Sequence, residues 1–349
     1  MRRAKRIILT IVLSLTMLLS TGGCEKKEST GAGSSTVEED KLTIGMSFDS
    51  FVIERWQRDR DIFVQAAKEL GAEVNVQNAN GDVAKQKEQI EYLVDYGADV
   101  IVIVCIDSDA LTDAVKKARD KGVKVIAYDR LINNADINLY ISFDNEMVGT
   151  LMAESLLEHG LAGGKVIMIG GSPADNNVSR VEAPFEQLMN ENQVEILGRT
   201  HCDGWRAELA AEYLDENREL LEECDAIMCG NDNVASQVVS FLAVQRLAGE
   251  ILVTGQDADL EACQRIVEGT QVMTVYKPVE TLARRAAECA VALAKGDTLG
   301  GEDLGTINNG MKEVPYLRLE PVKVTKENMD ETIIDSGFHS REEVYLNVR

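Results

Sequence analysis

Two doubly wound α/β domains are the fold this sequence predicts, and three observations predict it. Short apolar runs alternate strictly with helix-like stretches. Several runs are apolar on every residue, VIVIV (100–104) above all. Most of the helix-like stretches end at a glycine. A run with no polar face suits a parallel strand covered on both sides, and parallel strands need crossover helices between them. Glycine just past a helix supplies the left-handed C-terminal conformation.

Taken in order, the strand-like runs are LTIGMSF (42–48), AEVNVQNA (72–79), ADVIVIVCI (98–106), VKVIAYD (123–129) and LYISFD (139–144). Then come KVIMIG (165–170), VEILGRT (194–200), AIMCG (226–230), ILVTGQ (251–256) and VMTVY (272–276). Helical stretches run from Glu54 to Gly71, Val83 to Gly97, Ala110 to Gly122, Met147 to Gly160, Val234 to Gly249 and Leu260 to Gly269. About ten strands exceed one small sheet. The segment 128–149 breaks the alternation with a strand that has no crossover helix before it, and marks the passage from one domain to the other.

The first residues are read as an export signal, not as fold. MRRAKR is cationic, and IILTIVLSLTMLL is an apolar run of 13 residues, short for a membrane span. STGGC follows, ending at Cys24. A lone cysteine after small residues resembles a bacterial lipoprotein lipobox, although Thr21 stands where that motif usually has Leu. On this reading residues 1–23 are removed and Cys24 carries the lipid. Residues 25–40, small and charged, form a flexible tether. The chain has 36 basic and 59 acidic side chains, a net charge of -23, which repels nucleic acid and anionic lipid. Seven cysteines in an exported chain raise the question of disulfides. Cys105, Cys229, Cys263 and Cys289 instead sit in strand-like or helix-like runs without metal-ligand spacing, and read as small buried hydrophobes.

Ligands of open α/β sheets bind beyond the carboxyl ends of the strands. The polar residues that follow each apolar run are Asp129 and Arg130, then Asp175, Asn176 and Asn177, then Trp205, Asn231, Asp257 and Lys277. Singly, an Asp or Asn there is more often a helix cap than a ligand contact, and this alternative stands for Asn231 and Asp257. Arg130, Trp205 and Lys277 are poor caps, so the set points to a site. Carboxylates and amides mixed with cations suit sugar hydroxyls, which donate and accept together, and indole faces suit the C–H face of a pyranose. The chain has only two tryptophans, Trp56 and Trp205, one in each domain. Arg55 and Trp56 open the first helix. There Ile53, Trp56, Phe63, Ala67 and Leu70 also fit an apolar helix face, so Trp56 reads either as core or as a cleft residue.

Catalytic motifs are missing: GxxxxGK[ST], GxGxxG after the first strand, GxSxG and HExxH do not occur. The three histidines are scattered, and neither a cofactor nor a metal set presents itself. Asp107 and Asp109 are expected to cap the helix that starts at Ala110, with acid–base or magnesium chemistry as the alternative.

The stretches ERWQRDRDIF, NVQNANGD, AYDRLIN, LYISFDNE, GGSPADNN, DGW, GQDADL, GTQVMTVYKPV and NNG carry a resemblance that spans nearly all of residues 41–340. The chain resembles the periplasmic sugar-binding proteins of the ribose/galactose-binding class, and within them the D-xylose-binding proteins of xylose ABC importers. That resemblance implies a periplasmic-binding-protein type I fold: two Rossmann-like domains joined by a three-strand hinge. Crossings are implied near Asn145, Pro278 and Asn308, with residues 41–145 and 280–307 in one lobe and 146–279 and 308–349 in the other. It implies sugar contacts at Arg55, Trp56, Asp129 and Arg130 on one wall. On the other they fall at Asn176, Trp205, Asn231, Asp257 and Lys277, with Asp175 or Asn177 able to replace Asn176. It also implies a monomeric, non-enzymatic binder at the outer face of the cell membrane that delivers D-xylose or a related pyranose to an ABC permease. The competing role is a sensor that presents its closed form to a membrane histidine kinase or chemoreceptor. The chain departs from the family pattern before Glu54 and in NVSRVEAPF (177–185), both flanking the cleft, which leaves the sugar preference open.

Overall fold

In a computed structural model of the chain, residues 41–301 and 304–348 are described. The signal, Cys24 and the tether lie outside these residues. The strands are β1 Thr43–Phe48, β2 Glu73–Asn78, β3 Val100–Ile103, β4 Lys124–Tyr128, β5 Leu139–Phe143, β6 Lys165–Gly170, β7 Glu195–His201, β8 Ala226–Cys229, β9 Leu252–Thr254 and β10 Thr274–Tyr276. Three more follow that the alternation did not reveal: β11 Leu304–Asn308, β12 Glu313–Leu319 and β13 Val322–Val324. The helices are α1 Arg55–Glu69, α2 Val83–Asp95, α3 Thr112–Asp120, α4 Asn145–Glu158, α5 Asn176–Glu191, α6 Glu208–Glu216, α7 Asp232–Gln245, α8 Leu260–Glu268 and α9 Val279–Lys295.

The first lobe is built on a seven-stranded sheet of order β11-β12-β5-β4-β3-β1-β2, parallel except for the β11–β12 hairpin. The second lobe has a parallel sheet of order β7-β6-β8-β9, extended by the antiparallel β10–β13 pair through a bridge between Thr254 and Met273. Both sheets are covered on both faces, which explains the uninterrupted apolar runs. In the first lobe, α1 and α9 pack Phe63, Ala283 and Ala287 against Ile44 and Met46, and on the other face α2 and α3 pack Ile90, Leu93 and Ala114 against Ile101. Each such large side chain, buried in full, contributes about 1.5–3 kcal/mol.

Chain passages between the lobes position the cleft. The chain leaves the first lobe between β5 and α4, which packs on α5, and returns between β10 and α9, which packs on α1. The third passage does not fall at Asn308. Residues 308–313 form the hairpin turn between β11 and β12, held by Asn309, whose amide donates to Ile132 O and Ala135 O of the first lobe. β12 then pairs with β5, so the chain crosses only between Leu319 and Val322. Pairing of β12 with β5 decides this, and β11, exposed at the sheet edge beyond it, carries little apolar signal. The expected cap at Asp107 and Asp109 also differs: α3 starts at Thr112, after Leu111, and Asp107 instead accepts from Asp109 N–H in a local turn.

The six described cysteines are all buried and unpaired with one another. Burial pushes the Cys105 thiol up to about 12 and keeps it from reacting as a thiolate. Among the described residues no helix is long and apolar enough to cross a membrane, and no group of His, Cys, Asp and Glu is placed to hold a metal ion.

Candidate functional site

A cavity with about 470 Å³ of atom-free space lies between the lobes, at the carboxyl ends of β4, β6, β8, β9 and β10. Seven of the nine residues expected at a site line it: Arg55, Trp56, Asp129, Arg130, Trp205, Asp257 and Lys277.

The first wall is a network of buried charges. Arg55, on the first turn of α1, pairs with Asp59 at 3.2 Å and Asp129 at 3.0 Å, and faces Asp257 of the other lobe at 3.8 Å. Burial alone would lower its pKa, yet these three carboxylates together hold it well above the ordinary value. The Asp129 carboxyl is pushed up by burial, but Arg55, Lys277 and Arg130 outweigh that and hold it below the usual carboxylate range. Arg130 donates to Asp49 Oδ2 at 2.7 Å and to Cys105 O at 2.9 Å, and its Nε is in charge contact with Asp175 at 2.6 Å. Trp56 satisfies both readings at once. It is 2% exposed and packs near Phe48 in the core, while its ring, with the Arg55 guanidinium 4.5 Å from its centroid, lines the cavity.

On the second wall, Trp205 lies on a backbone that has no side chain beneath it. A Cβ on Gly171 would sit 2.2 Å from the Trp205 ring, so only glycine leaves room for the indole. Asp257 approaches Lys277 at 3.2 Å. Three of the lining residues hold left-handed backbones: Asp129 at φ 64°, Trp205 at φ 59° and Asp257 at φ 98°. Strain of this kind persists where the surroundings over-determine it, and it gathers at functional sites. Asp129 shows how: its carbonyl accepts from Tyr140 Oη, Ser142 Oγ and Asn177 Nδ2.

Two expected residues are placed elsewhere. Asn176 turns away from the cavity and donates to Leu131 O at 2.9 Å, while its N–H reaches Ser108 Oγ at 3.2 Å. Its neighbour Asn177 lines the cavity and donates to Asp129. The helical period explains the exchange, because 177, 178, 181 and 182 share the face of α5 that meets the cavity and 176 does not. Asn231 takes the capping alternative: its Oδ1 accepts from Val234 N–H at 2.9 Å at the start of α7. Asp257 is not a cap, since α8 begins after Asp259. Asn145, Asp175, Glu182 and Gln256 also line the cavity. Of these, only Asp175 lay within the alternatives read from the sequence. The i, i+3, i+4 spacing of Val178, Val181 and Glu182 was the available signal for Glu182.

Seven buried polar atoms on lining residues have no hydrogen-bond partner among the described residues, of which Arg130 Nε and Asp257 Oδ1 are in charge contact with Asp175 and Lys277. The other donors are Trp56 Nε1, Trp205 Nε1 and Arg130 Nη2, and the other acceptors are Gln256 Oε1 and Glu182 Oε1. An unmet buried polar group costs about 1–3 kcal/mol, so such a concentration marks a place built to be filled.

A family model described as a periplasmic binding protein domain matches residues 44–298. The chain belongs to the periplasmic binding protein family. It is 42% identical to the D-xylose-binding periplasmic protein of Haemophilus influenzae, over 89% of this chain and 95% of that one. It is 40% identical to the D-xylose-binding periplasmic protein of Escherichia coli, over 98% of this chain and all of the other. Among solved structures, an ABC transporter solute-binding protein from Clostridium phytofermentans with bound β-D-glucose aligns at TM-score 0.78 and 29% identity, over 86% of this chain and 99% of that one. A carbohydrate transporter solute-binding protein from Chloroflexus aurantiacus in complex with D-glucose aligns at 0.80 and 29%, over 86% and 98%. These relatives are binding proteins by the names they carry. The periplasmic-binding-protein type I fold is that of the sequence reading.

Proposed function

We propose that the protein is an exported solute-binding protein, lipid-anchored at Cys24, that captures D-xylose or a closely related pyranose and delivers it to an ABC permease. The observation that carries this reading is the mixture of unmet donors and acceptors around one cavity, flanked by both tryptophans. A sugar hydroxyl donates and accepts at once, so a polyol meets both kinds of group, whereas a purely anionic or cationic ligand meets one. The two D-xylose-binding relatives, each matched over most of the chain, support xylose as the sugar.

In the proposed cycle the lobes close about the three passages near residues 144, 277 and 320, and the sugar bridges the walls. Arg55 and Asp129 are held in place by their own lobe and offer charge-assisted hydrogen bonds to hydroxyls. Trp56 and Trp205 cover the C–H surface. A pentose has about ten non-hydrogen atoms, and at up to about 1.5 kcal/mol per atom micromolar or tighter binding is attainable. The test is a titration of sugar-free residues 25–349, with Cys24→Ser, followed by tryptophan fluorescence. A strong, saturable response to D-xylose and weak responses to D-glucose and D-ribose are expected. Silence toward all three, matched by calorimetry, would overturn the xylose assignment.

A further inference from the structure

The cavity has one wall that the family resemblance does not account for. Glu182 lies on α5, on the face shared with Val178 and Val181, within the stretch NVSRVEAPF where the chain departs from the family pattern. Its side chain is buried, with the residue only 7% exposed. His201, at the end of β7, lies 3.2 Å from Glu182 Oε2 in hydrogen-bonding geometry and holds the carboxylate in one orientation. Oε1 is 3.1 Å from the same nitrogen but outside hydrogen-bonding geometry, and has no hydrogen-bond partner among the described residues. The backbone makes room for it, since a Cβ on Gly170 would lie 2.1 Å from Oε1. On the same face of α5 the neighbouring lining residues are Asn177, Val178 and Val181.

We propose that Glu182 is a specificity-determining residue, whose Oε1 accepts a hydrogen bond from a hydroxyl at one end of the bound sugar. This inference rests on the reading of the cavity as a sugar site. An acceptor oxygen held in one orientation discriminates by configuration. A sugar that directs a hydroxyl there completes the carboxylate's hydrogen bonding. A sugar that directs a C–H there leaves a buried carboxylate oxygen unmet, and sites built on such polar complementarity reject the wrong ligand strongly. His201 is a positioning residue, acting on the ligand only through Glu182.

The experiment is calorimetric titration of wild-type protein and Glu182→Gln, both stripped of sugar, with D-xylose, D-glucose, D-ribose and L-arabinose. Glutamine keeps the shape and removes the carboxylate. The affinity for the best-bound sugar is expected to fall at least tenfold, and its ratio to at least one other sugar to change by tenfold or more. Unchanged affinities, or a uniform factor across all four, would overturn the role of Glu182 while leaving the sugar site in place. Wild-type protein that binds none of the four overturns the sugar reading and this inference with it. Should Glu182→Gln fail to fold, Glu182→Asp, which retracts the carboxylate by one methylene, reads the same ratio.

Discussion

The two walls of the cleft hold their polar groups by different means. In the first lobe, Arg55 is fixed by Asp59 and Asp129, Tyr128 Oη donates to Asp59, and Arg130 is fixed by Asp49 and Cys105 O, all within the same lobe. In the second lobe Lys277 holds Asp257 and His201 holds Glu182, but several partners lie across the gap: Asp175 meets Arg130, Asn177 meets Asp129, and Asp257 also faces Arg55. Two further contacts join the lobes away from the cavity, Ser108 N–H to Ala174 O at 3.0 Å and Arg58 Nη1 to Phe338 O at 2.9 Å. The first wall is therefore organised within its own lobe, and the second draws part of its contacts from closure. Such asymmetry lets the first wall present a ready-made surface, while the second makes the closed state depend on what lies between.

The comparison breaks most readily at Arg55. Arg55→Met leaves Asp59 and Asp129 buried without their shared cation, and removing one partner of a buried pair costs about 3–5 kcal/mol. Urea unfolding should show that loss even without sugar. A loss below about 1 kcal/mol would mean that the first wall is not organised by this network. Trp205→Ala should behave in the opposite way. It sits half-buried on Gly171 at the cleft, so sugar affinity should fall at least tenfold by calorimetry, with a smaller loss of stability than Arg55→Met.

Smaller effects are expected from the contacts outside the cavity. Asn176→Ala removes a bond between the lobes without touching the lining, so affinity should drop about two- to tenfold, as the loss of one ordinary hydrogen bond implies. Small-angle scattering of the sugar-free protein should shift toward the open form. A variant with wild-type affinity would show that Asn176 does not stabilise closure.

Two buried carboxylates, Asp129 in the first lobe and Asp232 in the second, respond to pH in opposite senses. Asp129 titrates below the ordinary range, so its contribution is present above about pH 4 and is lost in acid. Asp232, at the start of α7, is pushed up to about 7 by burial, which outweighs the hydrogen bonds from Thr274 and Gln271 and the charge of Arg265. The folded protein keeps that proton to about pH 7, whereas the unfolded chain releases it near pH 4. Stability from this group therefore falls as pH rises between those values and levels off above. Asp232→Asn should flatten the fall in melting temperature between pH 5 and 7. An unchanged slope would remove Asp232 as its source.

Ten strands, six helices and seven cavity residues were legible in the sequence, because each depends on a local pattern. Uninterrupted apolar runs declare strands buried on both faces, and polar residues after them declare the carboxyl ends where a ligand can sit. Arg130, Trp205 and Lys277 were readable for the further reason that they make poor caps. Tertiary structure alone decided the rest. Asp175, Asn176 and Asn177 are equivalent on paper, yet each step along a helix turns the side chain by about 100°, and the docking of α5 chooses Asn177 for the cavity and Asn176 for the opposite lobe. Asn231 could cap or bind, and the proximity of Val234 N–H settles its oxygen on the cap. The last passage between lobes moved from Asn308 to beyond Leu319 because β12 finds its partner in β5, where Tyr316 pairs with Tyr140 far earlier in the chain. Pairings across the chain and rotations about a helix axis are set by what packs against an element, and no local run of residues encodes them.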